Sequence, residues 1–487
     1  MLSRLGLAIS AVFRRTMPDP FVIAVLLTVL TFLLALALGD FPLRTGPAVQ
    51  PVWGDRVTAL LAAWRADAGL WAFLAFSMQM CLILVTGHAL AETRPVRRVI
   101  AALADRPRST AQAAAMVSLV ACLAGLVNWG LGLIVGALLA RETGRSLARR
   151  GIPAHYPLIC AAGYTAMMVW HGGLSGSAPL SMTTLEGARK VLPEQYAATL
   201  GAGGVPLSQT TFSLMNLVIT GGLLILTPLV MALLAPRQSS SDLPPAAAMY
   251  EDRPRPAPAS ERTIPDRLDT TPFISGLLAL GLLAGVAHTI WTSATRAAPP
   301  DASPVAAVML HGLPRIGLNE VNMLMLALGL LLHGSLRSYA AAVEGAMRGC
   351  AGILLQFPLY GGIMAMMVAS GLVRLFAGWI GDIATPGTLP LCTYLSAAGL
   401  NLFIPSGGGQ WGVQGPIALE SAMTRGVPLG KMIMAVAYGD QLTNMLQPFW
   451  ALPLLAITGV KAREIVGYTA VVMLIAGAWI GFGLLIL

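Results

Sequence analysis

The run Leu400-Asn-Leu-Phe-Ile-Pro-Ser-Gly-Gly-Gly-Gln-Trp-Gly-Val-Gln-Gly-Pro416 is flanked on both sides by apolar sequence, yet its middle does not read as ordinary helix. Pro405 has no backbone donor, and the successive glycines Gly407, Gly408 and Gly409 favour almost any conformation over helical φ/ψ. In hydrocarbon, irregular backbone is tolerated only where protein buries it or where it lines a wet cavity. The stretch therefore predicts a binding tip inside a membrane carrier, with Ser406 and the glycine N–H groups forming a concave nest for an anion. A plain extracellular turn is the competing reading.

The flanks fit that setting. The chain has 487 residues, 56% hydrophobic and 11% charged, with a mean hydropathy of +0.72. A soluble protein carries about a quarter charged residues, so an all-α polytopic membrane protein is the class expected. The net charge of +9 is scattered through short loops rather than gathered on one face, which argues for membrane orientation and against nucleic acid. Cys81, Cys122, Cys160, Cys350 and Cys392 lie in apolar segments without CxxC spacing or histidine partners, so they read as small hydrophobes. The basic N-terminus (Arg4, Arg14, Arg15) precedes an apolar run too long for a signal peptide, which is expected to stay as a first span.

Apolar spans near the ~20-residue crossing length cover 20–39, 70–91, 207–235, 272–291, 320–334, 350–373 and 465–487, with interrupted ones at 153–180 and 428–458. Two further segments, 110–140 and 389–422, are apolar but broken midway. Arg94, Arg97, Arg98, Arg106 and Arg108 precede the first; Arg141, Arg145, Arg149 and Arg150 follow it. Because Lys and Arg collect on the cytoplasmic side, both its ends belong inside, and a re-entrant hairpin turning at Asn128-Trp129-Gly130 satisfies them. The second segment, turning at 406–409, is its counterpart from outside. About nine crossings and two hairpins leave no Lys or Arg in a span, with the N-terminus inside and the C-terminus outside.

This layout predicts two inverted-topology repeats, 1–235 and 318–487, each ending in a hairpin, a broken helix and a last span. Residues 236–270, rich in Pro, Ser and charge, read as a loosely packed cytoplasmic linker, and 271–317 supply a connecting helix and an outer loop. Arg150-Gly-Ile-Pro echoes Arg425-Gly-Val-Pro at the starts of the broken helices; the echo of Pro20-Phe21 in Pro272-Phe273 would suit a parallel repeat instead. Inverted repeats with helices interrupted at the midplane mark secondary transporters.

Of the 22 carboxylates, Asp440 alone lies well inside a span, in Ala437-Tyr-Gly-Asp-Gln-Leu-Thr-Asn-Met-Leu-Gln-Pro. An intramembrane carboxylate is costly and functional by default, which makes it the candidate cation or proton site; capping the broken helix is the bland alternative. Gln441, Thr443, Asn444 and Gln447 add neutral ligands beside it. In Trp170-His-Gly-Gly-Leu-Ser-Gly-Ser-Ala-Pro, breakers after His171 oppose continuous helix, and Ser175 and Ser177 are placed to hydrogen-bond a carboxylate. His171 is either a proton carrier or a satisfied packing residue. Asn128 and Trp129 come from the first hairpin; Asn401, Ser406, Gly407–Gly409, Gln410 and Trp411 come from the second. With no Lys or Arg at the midplane, an anionic substrate beside Asp440 calls for a neutralising H⁺ or Na⁺, the latter near Asn128, Ser406 and Asp440. No further cofactor is implied, and no nucleotide-binding motif is present.

These motifs resemble the short-chain fatty acid uptake family of the acetoacetate/butyrate type. The resemblance rests on Met17-Pro-Asp-Pro, Met78-Gln-Met, Thr86-Gly-His-Ala-Leu, Asn128-Trp-Gly, Ser175-Gly-Ser, Pro405-Ser-Gly-Gly-Gly, Val413-Gln-Gly-Pro, Tyr438-Gly-Asp-Gln and Gln447-Pro-Phe-Trp-Ala-Leu-Pro. It covers nearly the whole chain except the linker. It implies a bacterial inner-membrane carrier for small monocarboxylates, surrounded by lipid and with a homodimer left open. It also implies a scaffold and a mobile transport domain working by elevator-type alternating access. Against the family pattern the chain has His171 for Gly, Gln410 for His and Asp440 for Glu. A C4-dicarboxylate carrier or an efflux transporter of the same fold is the alternative. A membrane-embedded hydrolase on Asp440 and His171 lacks any H-E-x-x-H or G-x-S-x-G motif, and a channel would show itself by its conductance.

Overall fold

The computed structural model describes residues 2–41, 53–183, 185–189, 204–236, 263–298, 302–313, 317–376 and 384–487. Among them every regular element is helical. Seven helices are long and apolar enough to cross a membrane: Pro20–Leu38, Leu74–Ala91, Thr110–Val127, Leu214–Leu233, Pro272–Arg296, Ala351–Ala369 and Ala462–Ile486. Two of them turn most of their apolar surface outward. Leu26, Val29 and Leu33 on the first, and Phe273, Leu277 and Leu280 on the fifth, are exposed. Patches of this kind would be untenable in water and are ordinary against lipid. The chain is a multi-pass membrane protein.

The helices pack as two groups. Pro20–Leu38, Trp53–Arg65, Leu74–Ala91, Pro272–Ala297, Leu318–His333, Leu336–Ala346 and Ala351–Ala369 contact one another. The second group surrounds Tyr156–Tyr164 and Leu429–Thr443, whose residues are almost all buried. Around them stand Thr110–Val127, Trp129–Arg149, Leu214–Leu233, Leu389–Asn401, Gly407–Arg425, Pro448–Thr458 and Ala462–Ile486, with Leu2–Thr16 laid against the last.

Close approach at the centre depends on missing side chains. A Cβ on Gly136 would lie 2.1 Å from the Gly163 carbonyl oxygen, and one on Gly439 2.4 Å from that of Tyr394. Each interrupted helix thus seats on its neighbouring helix pair through a glycine, at distances any larger residue would forbid.

Several expectations need correction. The three glycines of 407–409 are helical, as is Pro416: Gly407–Arg425 is one helix, and the chain breaks earlier, over 402–406. The reason is position. Ser406 caps the helix by accepting from Gly409 N–H (3.1 Å), so the glycines occupy a first turn where their poor propensity matters least. The arm after Asn128 continues to Arg149 rather than stopping at 140, because Arg145 bonds Glu142 (2.6 Å) on a helix-favouring stretch. The end of the expected linker is ordered: Ile264–Thr270 starts on a Thr263/Asp266 capping box, while 237–262 lie outside the described residues. His155 is buried at the start of the first interrupted helix, with Nε2 2.7 Å from the Tyr468 hydroxyl.

Candidate functional site

Four chain breaks meet in the second group. At Asn128 the backbone is extended between two helices, and its side-chain oxygen accepts from Gly130 N–H (3.0 Å) and Leu131 N–H (3.2 Å). The next amide, Trp129 N–H, donates to Ser175 Oγ (3.1 Å), which ties this tip to the first interrupted helix. There the α-helix ends at Tyr164 and gives way to two 3₁₀ turns, Thr165–Met168 and Trp170–Gly172, before Ser177–Ser181 resumes. The second interrupted helix breaks at Asn444–Leu446 and restarts at Pro448, whose missing N–H suits a first turn.

Asp440 joins them. Its Oδ2 lies 2.8 Å from His171 Nδ1, and its Oδ1 accepts from Asn401 Nδ2 at 2.7 Å. The other ring nitrogen of His171 accepts from Ala178 N–H (3.1 Å). That acceptor role assigns the ring proton to Nδ1, so Asp440 receives donors on both oxygens, as an ionised carboxylate does. Both side chains are fully buried, and His171 is the only ionisable partner of Asp440 among the described residues. A buried negative charge held by neutral donors alone favours the approach of a cation.

Asn401 is the hub on the far side. Its Oδ1 accepts from Thr443 (3.0 Å) and Gln447 (2.9 Å), and its backbone carbonyl also accepts from the Gln447 amide. Gln441 Oε1 accepts from His171 N–H (3.1 Å). These bonds leave some buried polar atoms without a protein partner: both ends of the Asn444 amide, Gln441 Nε2 and Gln447 Oε1. Folded interiors leave few such atoms, and here they sit beside a buried carboxylate. Neutral oxygens of this type are ligands that hard cations take, whereas the side-chain oxygens of Asn128 and Ser406 are spent on capping.

The glycine tip reaches the same place. A Cβ on Gly407 would lie 2.6 Å from the Trp170 ring, 3.1 Å from His171 Cε1 and 3.3 Å from Ser177 Oγ. Gly408 faces open space, and among the described residues neither Gly407 nor Gly408 N–H has an acceptor. The tip combines a helix N-terminus with two available amides, a favourable arrangement for an anion.

The structure thus brings together Asn128, Trp129, His171, Ser175, Ser177, Asn401, Gly407, Asp440, Gln441, Thr443 and Gln447, with Asn444 among them. Gln410 stands apart. It donates to the Ala397 carbonyl (2.8 Å) and to Gln414 (2.9 Å), bracing its own helix pair. Trp411 is buried on the same helix, and Gly409 packs under Ser406 and Met364. Sequence reasoning passed over Trp170, stacked on His171 at 4.2 Å, although the two are adjacent in the chain. It also passed over Tyr164, whose hydroxyl donates to the carbonyls of Asn444 (2.7 Å) and Gln447 (3.1 Å) and so holds the second break open. Nothing in a lone Tyr in an apolar run signals that bond.

The family model described as short chain fatty acid transporter matches residues 1–291 and 305–487. A protein of Escherichia coli (strain K12), provisionally named a short-chain fatty acid transporter, is 37% identical over 490 residues, covering 99% of each chain. One of Haemophilus influenzae with the same provisional name is 34% identical over 470 residues, covering 96% of each. Two solved structures align more loosely. The Alcanivorax borkumensis YdaH transporter is 19% identical with a TM-score of 0.44, covering 96% of this chain and 97% of its own. Neisseria gonorrhoeae MtrF, described among antimetabolite efflux pumps, is 15% identical with a TM-score of 0.42, covering 96% and 95%. Those two scores carry no argument about this fold. The sequence matches do: the chain belongs to the short-chain fatty acid transporter family, a family of transporters rather than enzymes.

Proposed function

We propose that the chain is a secondary carrier that moves short-chain monocarboxylates, such as butyrate or acetoacetate, together with H⁺ or Na⁺. The observation that carries this reading is Asp440, a buried carboxylate with neutral donors on both oxygens and, among the described residues, no Lys or Arg beside it. A substrate carboxylate at the Gly407 and Gly408 amides would add a second buried negative charge. Each uncompensated buried charge costs about 5 kcal/mol, so the substrate anion and a cation bind best together.

The two helix pairs act as re-entrant hairpins in this reading. Six of the long apolar helices (all but Thr110–Val127, which is a hairpin arm), Leu318–His333 and the two interrupted helices make the nine crossings. The recurrence in both halves of a helix pair, an interrupted helix and a long last helix supports inverted repeats. The group that holds the site then moves against the other in an elevator-type cycle. The protein belongs by this reading to a bacterial inner membrane, N-terminus inside and C-terminus outside.

The test is uptake of labelled butyrate and acetoacetate into proteoliposomes, with Na⁺ and proton gradients imposed separately. One gradient should drive accumulation, and Asp440→Asn should abolish the response to it. Accumulation indifferent to both gradients would remove the reading, and an unchanged gradient response in the variant would remove Asp440 from the coupling.

A further inference from the structure

We infer that an aromatic cage at the seam between the two helix groups, built on Phe76, Trp129 and Trp450, receives the alkyl tail of the substrate and sets which chain length is preferred. This rests on the monocarboxylate reading above and specifies where the tail lies. Phe76 comes from Leu74–Ala91 in one group; Trp129 and Trp450 come from the tip of the first helix pair and from Pro448–Thr458 in the other. Phe76 and Trp129 lie 6.2 Å apart between ring centroids, Phe76 and Trp450 5.9 Å, and Trp129 and Trp450 5.0 Å, the last two edge to face. Phe357 backs Phe76 at 5.4 Å, and Trp170 meets Trp129 at 6.4 Å.

Three features separate this cluster from ordinary core. Phe76 and Trp129 are only partly buried while Phe357, Trp170 and Trp450 are shut in, so access to the cluster is from the Phe76 and Trp129 rings. Among the described residues the indole N–H groups of Trp170 (3% exposed) and Trp450 (4% exposed) have no protein acceptor. Buried indole N–H groups normally find a partner, and two lacking one in the same cluster are donors suited to a ligand oxygen. Finally, Trp170, which meets Trp129, stacks on His171, so two rings separate the cage from Asp440. An apolar enclosure with a few convergent donors is what a small amphiphilic acid requires.

Burying a methylene contributes about 0.8 kcal/mol, so the two that distinguish butyrate from acetate are worth roughly 10-fold in affinity. The experiment measures KM and kcat for acetate, butyrate and hexanoate in proteoliposomes, and titrates intrinsic tryptophan fluorescence with acetate and butyrate. Wild-type protein should favour butyrate over acetate by about that factor. Phe76→Ala should erase the preference by raising KM for butyrate, leave acetate within about twofold, and improve hexanoate. Phe76→Leu, which keeps an apolar side chain, should retain an intermediate preference and guards against misfolding of the alanine variant. Trp450→Phe keeps a ring but loses the N–H; it should weaken all three acids roughly alike, by about 10-fold, and reduce the butyrate-dependent fluorescence change. Acetate and butyrate changing in parallel in both Phe76 variants, or a fall in kcat with unchanged KM, would overturn the cage while leaving the carrier reading intact. Wild-type protein that neither binds nor moves butyrate would overturn that reading itself.

Discussion

At the scale of single residues the centre is a short carboxylate matched to a histidine. The resemblance to the family implies Gly at position 171 and Glu at position 440, where this chain carries His and Asp. The structure shows these two residues in direct contact, His171 Nδ1 to Asp440 Oδ2 at 2.8 Å. Asp is one methylene shorter than Glu, and the imidazole supplies a donor where glycine has only backbone. The two changes are therefore expected to be coupled. His171→Gly leaves one oxygen of Asp440 without a donor, and Asp440→Glu pushes a longer side chain against the ring. Each alone should reduce transport and lower the melting temperature, whereas the double variant should recover most of both. The cycle should return an interaction energy of about 1–3 kcal/mol. Additive losses, measured by uptake and thermal unfolding in detergent, would show that the pair acts independently.

At the scale of elements, what the sequence revealed and what it concealed divide on one physical line. Breaks were legible where a residue type forbids helix or demands a cap, as at Asn128 and before Pro448, whereas the first interrupted helix leaves α geometry already at Tyr164, ahead of the breakers that follow His171. The composition of the Leu400–Pro416 run drew attention to the right loop but misplaced its break, because glycine in a capped first turn costs little. Missed altogether were Leu2–Thr16, Trp53–Arg65, Arg94–Ala104 and Leu336–Ala346. They are short helices whose charges sit on one face, and a reading that sorts segments by overall hydropathy treats them as loops. Ile264–Thr270 belongs with them and offers a test. Arg337, on Leu336–Ala346, bonds Asp266 (2.6 Å) and Asp269 (3.0 Å). Its guanidinium, helped by the Thr263 hydroxyl, holds the Asp266 carboxyl below its ordinary range. A carboxyl so lowered contributes to the docked state at and above ordinary carboxylate pKa values, and loses that contribution as pH falls through the lowered value. Amide exchange over 264–270 should therefore be slow at neutral pH and accelerate under strong acid. In Arg337→Ala it should be fast throughout. Equal protection in the variant would show that the tie contributes nothing.

At the scale of the whole molecule, the site residues were individually legible but their convergence was not. His171 and Asp440 are 269 positions apart, and His171 and Gln441 are 270 apart. No periodicity encodes such a meeting; it follows from two interrupted helices packing through Gly136–Gly163 and Gly439–Tyr394 contacts. The same packing decides what can move. Helix contacts are dense within each group, and the seam between them is narrower: Gly349 against Ala456, and Phe357 and Tyr360 against Phe449. If transport carries the site across the membrane, this seam has to slide. A Cβ on Gly349 would lie 2.8 Å from that of Ala456, close enough for a pair of cysteines to bond after a small shift. In a background without the five native cysteines, Gly349→Cys/Ala456→Cys should transport when reduced. It should stop when oxidised and recover with a thiol reductant, while each single cysteine stays active under oxidation. Substrate should still perturb the tryptophan fluorescence of the locked protein, because the cage and Asp440 remain assembled. Binding without transport is the signature of a seam that must move. Undiminished transport in the fully cross-linked protein would mean that the two groups work as one rigid body and that access alternates through the hairpin tips alone.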